Sequence, residues 1–254
     1  MFRNTANEHG IGVEKRFRWR AREITRLEGF SDAVFAFALT LLVVSLEVPH
    51  TFDELMDTMR GFAAFGICFA ILVQVWFYHY RYFRRYGLQD AITVVLNAAL
   101  LFVVLFYVYP LKFLFTMLVG SLTGGATVGG RTPLDAMIGL QDVPMLMTIY
   151  GIGFAAVFGI LAVLYWNAYR KRAELELDPH EALLTEHSLF ENIGVASIGL
   201  LSALIANMLP IGRSGLAGFA YFLIPAYATG CGMYFGRRAK ELQRNQKQGT
   251  AASV

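Results

Sequence analysis

The sequence predicts an all-α membrane protein with six transmembrane helices per chain and both termini cytoplasmic. Three observations lead there. Hydrophobic residues make up 56% of the 254 residues and charged ones only 16%, against roughly 45–50% and about 25% in soluble domains. Six apolar stretches, at 27–48, 58–80, 91–118, 145–168, 188–209 and 215–236, have the length of about 20 helical residues needed to cross a hydrocarbon core of roughly 30 Å. Of the 22 basic residues, all but Arg60, Lys112, Arg131 and Arg213 fall in the N-terminus, the hairpin after the second span, the linker after the fourth and the tail. With six helices those segments share one side, and the positive-inside rule makes it cytoplasmic.

Taken in order, residues 1–22 form a cytoplasmic basic arm. They hold no apolar core ahead of a small-residue cleavage site, so the first helix itself serves as the insertion signal. Residues 23–236 are the six-helix transmembrane domain. An acidic turn, EVPHTFDELMD (Glu47 to Asp57), joins the first two spans outside, and the Thr51 to Glu54 spacing resembles a capping box. Inside, RYFRRYGLQD joins the second and third, with Gly87 placed to close one helix and Asp90 to cap the next. The glycine-rich segment VGSLTGGATVGGRTPLDAMIGLQDVP is an outer loop; it lacks the GK[ST] of a phosphate-binding loop and no strand precedes it. Asp178 before Pro179 is placed to start a helix inside, and PIGRSG is a short outer turn before the last span. Residues 237–254 are a cytoplasmic polar tail expected to fray. Trp76, Tyr78, Tyr80 and Tyr82, and again Tyr165, Trp166 and Tyr169, stand at span ends where aromatic belts form.

Several functions lose support at this level. The net charge of +3 comes from the basic asymmetry, so it argues for topology and not for nucleic acid. Cys68 and Cys231 both lie within spans, where a disulfide or thiolate metal site is not expected. His187 and Glu191 stand one turn apart, but two ligands do not make a metal site. No nucleophile with a neighbouring base and no cofactor loop emerges, so the chain is not expected to be an enzyme.

The informative stretch is RLEGFSDAVFAFALTLLVVSLEVP, Arg26 to Pro49. At about 100° per residue, Leu41, Val44, Val48 and Phe30 all fall within about 40° of Phe37, forming one apolar stripe, with Thr40 about 60° to its flank. Asp32 and Ser31 lie about 140° and about 120° away from Phe37 on opposite sides, so the polar pair points away from the stripe. An ionisable group within a span turns inward and finds a partner. Arg26, six residues from Asp32 and on the opposed face, does not suit; Trp76, His79 and Asn97 on the next two helices do. Asp32 and Ser31 are therefore expected to join helices, with a direct part in transport as the other reading.

The run from Arg26 through Phe30, Ser31 and Asp32 resembles the R-x-x-x-F-S-D signature of the transmembrane-protein-175 family of potassium channels, in its prokaryotic form with one six-helix unit per chain. The W-x-x-H of Trp76 and His79 and the LNAALLF of Leu96 to Phe102, which contains Asn97, are similar to that family's second and third helices. The resemblance covers roughly the first 110 residues. It implies a homotetramer whose first helices line a central potassium-permeable pore in the cell membrane. It also implies a constriction of apolar side chains at Phe37, Leu41 and Val44, with Thr40 as the flanking hydroxyl. The family lacks a T-V-G-Y-G carbonyl filter and none occurs here. The implied positions coincide with the stripe. Phe37 departs from the Ile or Leu common there, and four phenyl rings either narrow the path or present their faces to a cation. No cofactor is implied; partners are other copies of the chain, membrane lipid and monovalent cations, of which potassium is the permeant species. The alternative is a proton-coupled secondary transporter relaying through Asp32 and His79, for which broken helices are expected and only Pro110 interrupts a span.

Overall fold

The computed structural model describes residues 17–21, 23–44, 50–60, 62–122 and 138–251. The described elements are all helical: α1 (Arg26–Val44), α2 (Phe52–Arg60), α3 (Phe62–Tyr86), α4 (Ala91–Leu122), α5 (Val143–Arg170), α6 (Pro179–Met208), a 3₁₀ segment (Ile211–Phe222) and α7 (Leu223–Ala251). Five helical stretches, 62–86, 91–120, 143–170, 179–208 and 211–245, are long and apolar enough to cross a membrane. The sixth expected span, α1, has 19 residues and begins with Arg26, Glu28 and Asp32 among its first two turns. The glycine-rich loop, at 123–137, and most of the N-terminal arm lie outside the described residues.

The helices pack in a chain of neighbours. α1 lies against α3 and α4, α4 against α3 and α5, α5 against α6, and α6 against the 3₁₀ segment and α7. The α5–α6 seam is the tightest: a Cβ on Gly151 would stand 2.5 Å from the carbonyl oxygen of Gly199, and one on Gly199 would stand 2.9 Å from that of Gly151. Small residues at a membrane seam let backbones approach. Between α4 and α5, the Tyr150 hydroxyl donates to the Pro110 carbonyl at 2.6 Å and Tyr107 donates to the Tyr150 carbonyl at 2.7 Å.

Helix ends differ from the apolar runs for identifiable reasons. α3 continues through RYFRR to Tyr86, because its arginines find partners at its end: Arg81 lies 5.3 Å from the Tyr78 ring, Arg84 5.6 Å from Tyr80, and Arg85 donates to Ser188 at 3.0 Å. Gly87 then ends the helix in the left-handed region, φ +61°, its N–H on the Phe83 carbonyl at 2.8 Å. α6 starts at a full capping box: Asp178 accepts from the His180 and Glu181 amides, both at 2.7 Å, and Glu181 accepts from the Asp178 amide at 3.2 Å. The expected turn at PIGRSG is the start of a 3₁₀ segment. Its buried residues Ser214, Ala217 and Ala220 recur every third position, the period of that helix, and the Ala217 carbonyl accepts from Ser202 of α6 at 2.9 Å. The tail does not fray at residue 237: α7 carries on to Ala251.

The last described part of the basic arm is docked. Phe17 is fully buried against Tyr86, ring centroids 5.7 Å apart. Arg20 grips the turn after α5, donating to the Leu175 carbonyl at 2.7 Å and pairing with Glu181 at 2.5 Å.

Between α3 and α4, Asp90 accepts from Thr93 at 2.7 Å and lies 3.5 Å from the Lys171 ammonium. Burial raises its pKa, but the Thr93 hydroxyl, Lys171 and the Asn167 amide together outweigh burial and hold it below the ordinary 3.8. A carboxyl with a depressed folded-state pKa adds stability that is present above the unfolded value, about 3.9, and is lost as pH falls through the folded one. Asp90→Asn is therefore expected to flatten the acid limb of a melting-temperature profile below about pH 4 in detergent. An acid limb identical to that of the parent protein would remove Asp90 from the account.

Candidate functional site

α1 has two unlike faces. Its buried face carries Glu28, Ser31, Phe35, Ala38 and Leu42, spaced alternately three and four residues apart as in a coiled-coil seam. Its open face carries Phe30 and Phe37, 62% and 56% exposed, with Thr40 exposed and Leu41 half-buried. A Cβ at Gly29 would meet nothing within 4 Å, so no other described part of the chain covers this face there. The side chain of Val44 lies outside the described residues.

The start of α1 is fixed by a capping box absent from the sequence reading. The Thr25 hydroxyl accepts from the Glu28 amide at 3.1 Å, and the Glu28 carboxylate accepts from the Thr25 amide at 2.8 Å. The signal was legible as T-x-x-E just ahead of an apolar run.

The buried face is held by a polar chain across three helices. Ser31 donates to the Leu27 carbonyl at 2.8 Å and accepts from the Asn97 amide nitrogen of α4 at 2.9 Å. Asn97 Oδ1 meets His79 Nε2 of α3 at 2.8 Å. With its NH2 group committed to Ser31, Asn97 accepts from the ring, which puts the His79 proton on Nε2. Ser31, His79 and Asn97 are each at most 1% exposed, so each bond forms where no water competes. Asp32 is held separately, accepting from Trp76 Nε1 at 2.8 Å. Trp76 is itself stacked on Tyr80 at 5.6 Å. Asp32 and His79 make no bond to each other among the described residues.

The structure thus brings Ser31, Asp32, Trp76, His79 and Asn97 into the joint between α1, α3 and α4. It does not bring Arg26 or Phe30 there. Arg26 is exposed and has no ion pair or hydrogen bond among the described residues. The cause is its angle, within about 20° of the stripe, on the face that no other described helix covers. Phe30 shares that face. Among the described residues no group of three metal-ligating side chains occurs.

The TMEM175 family model, described as endosomal/lysosomal potassium channel TMEM175, matches residues 26–107, the segment from α1 through most of α4. The chain is 41% identical over 218 residues to a protein of Marivirga tractuosa named "Potassium channel", covering 84% of this chain and 88% of that one. A second potassium channel, from Chamaesiphon minutus, is 35% identical over 96 residues, 35% of this chain and 47% of the relative. Among solved structures, a variant of the potassium channel MtTMEM175, crystallised with a nanobody–MBP fusion protein, superposes with a TM-score of 0.77 at 38% identity, over 91% of this chain and all of that one. A protein from Chamaesiphon minutus, described as a homologue of the lysosomal potassium-selective channel TMEM175, shares the fold at 22% identity, a TM-score of 0.50, and 84% and 96% coverage.

Proposed function

Because the chain belongs to the TMEM175 family, as a prokaryotic member and a multi-pass membrane protein, we propose that it is a potassium-permeable cation channel in the cell membrane, not an enzyme, and that it conducts passively. In this reading four copies assemble with both termini cytoplasmic and their α1 helices around a shared axis. Phe37, Leu41 and Val44 form the constriction and Thr40 flanks it.

One observation carries the reading. Among the described residues nothing covers the face of α1 bearing Phe30 and Phe37, while the opposite face is fixed to α4 by the buried Asn97–Ser31 bond, with Trp76 of α3 holding Asp32 beside it. A helix held rigidly from behind presents its free ridge to other copies of itself. An apolar ring of such ridges gates by dewetting, since a bare ion in a dry apolar medium meets a penalty of tens of kcal/mol. Conduction then requires the ring to widen until water enters. Asp53, exposed in the first turn of α2, adds negative charge at the outer mouth that raises the local cation concentration.

The test is potassium flux into liposomes holding the purified protein, with an ionophore as the positive control; absence of flux from assembled protein would overturn the reading. Unitary current steps in single-channel recording separate a channel from a transporter. Asp32→Ala is expected to lower the yield of assembled tetramer more than it changes unitary conductance, through loss of one hydrogen bond worth about 1 kcal/mol. Trp76→Phe should do the same and the double variant little more. A large conductance change in a normally assembling Asp32→Ala protein would place that carboxylate in the ion path.

A further inference from the structure

We propose that a groove on α7, where its apolar part gives way to its charged extension, binds the phosphoethanolamine headgroup of a membrane lipid. The groove is about 430 Å³ and is lined by Gly230, Met233, Tyr234, Arg237, Arg238 and Glu241. These residues recur at three- and four-residue intervals, so they form one face of the helix. Along that face the chemistry changes in the order a lipid presents it. Met233 and Tyr234 are each 59% exposed, and Gly230 has nothing within 4 Å of an added Cβ, which leaves this stretch of the face open and apolar, with room for an acyl chain. Next come two guanidiniums, and one turn later a carboxylate.

The charges are set for a ligand more than for each other. Arg238 is positioned by Glu186 at 3.4 Å and by the rings of Tyr234 and Phe235 at 5.9 and 6.0 Å. Arg237 and Glu241 are four residues apart, yet they form no ion pair with each other. Neither makes a hydrogen bond or ion pair with any other described residue. Guanidinium forks match phosphate oxygens. Glu241 lies about 6 Å further along the axis at 1.5 Å per residue, within reach of an ammonium tethered to that phosphate by two carbons. A headgroup ending in a glycerol diol would leave the carboxylate without a cation and set a net negative lipid beside it. Glu241 is thus the residue that separates phosphatidylethanolamine from phosphatidylglycerol. The inference requires only that α7 meets a membrane surface near Gly236; it does not depend on conduction.

The experiment is native mass spectrometry of the full chain in detergent with equimolar dioleoyl phosphatidylethanolamine and dioleoyl phosphatidylglycerol. The wild-type protein is expected to retain the ethanolamine lipid over the glycerol lipid by about threefold to fivefold, the discrimination one exposed ion pair supplies. Glu241→Gln should bring the two to near parity, and Arg237→Ala should lower retention of both. Both side chains are exposed and unpartnered, so unchanged thermal unfolding serves as the control for folding. Equal or preferred retention of phosphatidylglycerol by the wild-type protein, an undiminished preference in Glu241→Gln, or no retained lipid because a second copy covers the face, would each overturn the proposal.

Discussion

Gly151→Leu is expected to abolish recovery of folded protein, and Gly151→Ala to reduce its thermal stability measurably. The position lies in the α5–α6 seam, and an added Cβ would stand 2.5 Å from the Gly199 carbonyl oxygen, 2.8 Å from Ala203 Cβ and 3.1 Å from the Ala203 amide nitrogen. Two of those three atoms are backbone, so relief means separating the helices. Overpacking of this kind costs about 1–3 kcal/mol for a single methyl group, and the larger leucine belongs to the class of core changes above about 4 kcal/mol. The effect spreads because α6 also carries the 3₁₀ segment and α7. Gly159 supplies the control. It lies in the same helix with nothing within 4 Å of its added Cβ, and Gly159→Ala should be neutral or stabilising by up to about 1 kcal/mol through helix propensity. Fluorescence-detected gel filtration and melting in detergent measure both. Equal melting temperatures for the two alanine variants would mean that α5 and α6 do not approach as described.

What the sequence disclosed here was what periodicity and local chemistry control. Apolar runs located the helices, because crossing a hydrocarbon core imposes a minimum length. The Asp178 cap and the Gly87 terminator were legible because each acts within four residues of itself. The Thr25–Glu28 box is equally local, spelled T-x-x-E immediately ahead of the apolar run. What lay beyond reach were partners chosen by packing. Trp76, His79 and Asn97 were all suited to bond the Ser31–Asp32 pair, but only the crossing of α1 with α3 and α4 allots Trp76 to Asp32 and Asn97 to Ser31, with His79 bonded to Asn97 behind it. The same holds for helix ends. Charged residues after Tyr80 looked like a loop, but ring faces and Ser188, over a hundred residues away in sequence, keep them helical. Phe17 and Arg20 gave no periodic signal: Phe17 is buried against Tyr86 at the end of α3, and Arg20 docks on a turn some 155 residues further along the chain.

Phe37→Ala is expected to raise potassium flux by about tenfold or more, the largest functional change within the proposed channel. Phe35 and Phe37 differ by two positions, hence about 160° around the helix. Phe35 is 3% exposed and packs against His79 at 5.6 Å, whereas Phe37 is 56% exposed. The same substitution therefore acts on different quantities at the two sites. Phe35→Ala opens a cavity in the α1–α3 joint and should cost about 3–5 kcal/mol of stability, with flux falling only as folded protein falls. Phe37→Ala removes no intrachain packing of that kind. In the proposed tetramer it would take four phenyl rings from the proposed constriction, and about 1.4 kcal/mol off the barrier suffices for each factor of ten in rate. Leu41→Ala should move flux in the same direction by less, because Leu41 is already half-buried against its own chain. Potassium flux per assembled tetramer, read beside the melting temperature, separates the two effects. If Phe37→Ala leaves flux unchanged while the tetramer stays intact, the open face of α1 does not line the ion path, and the constriction must be sought on another helix.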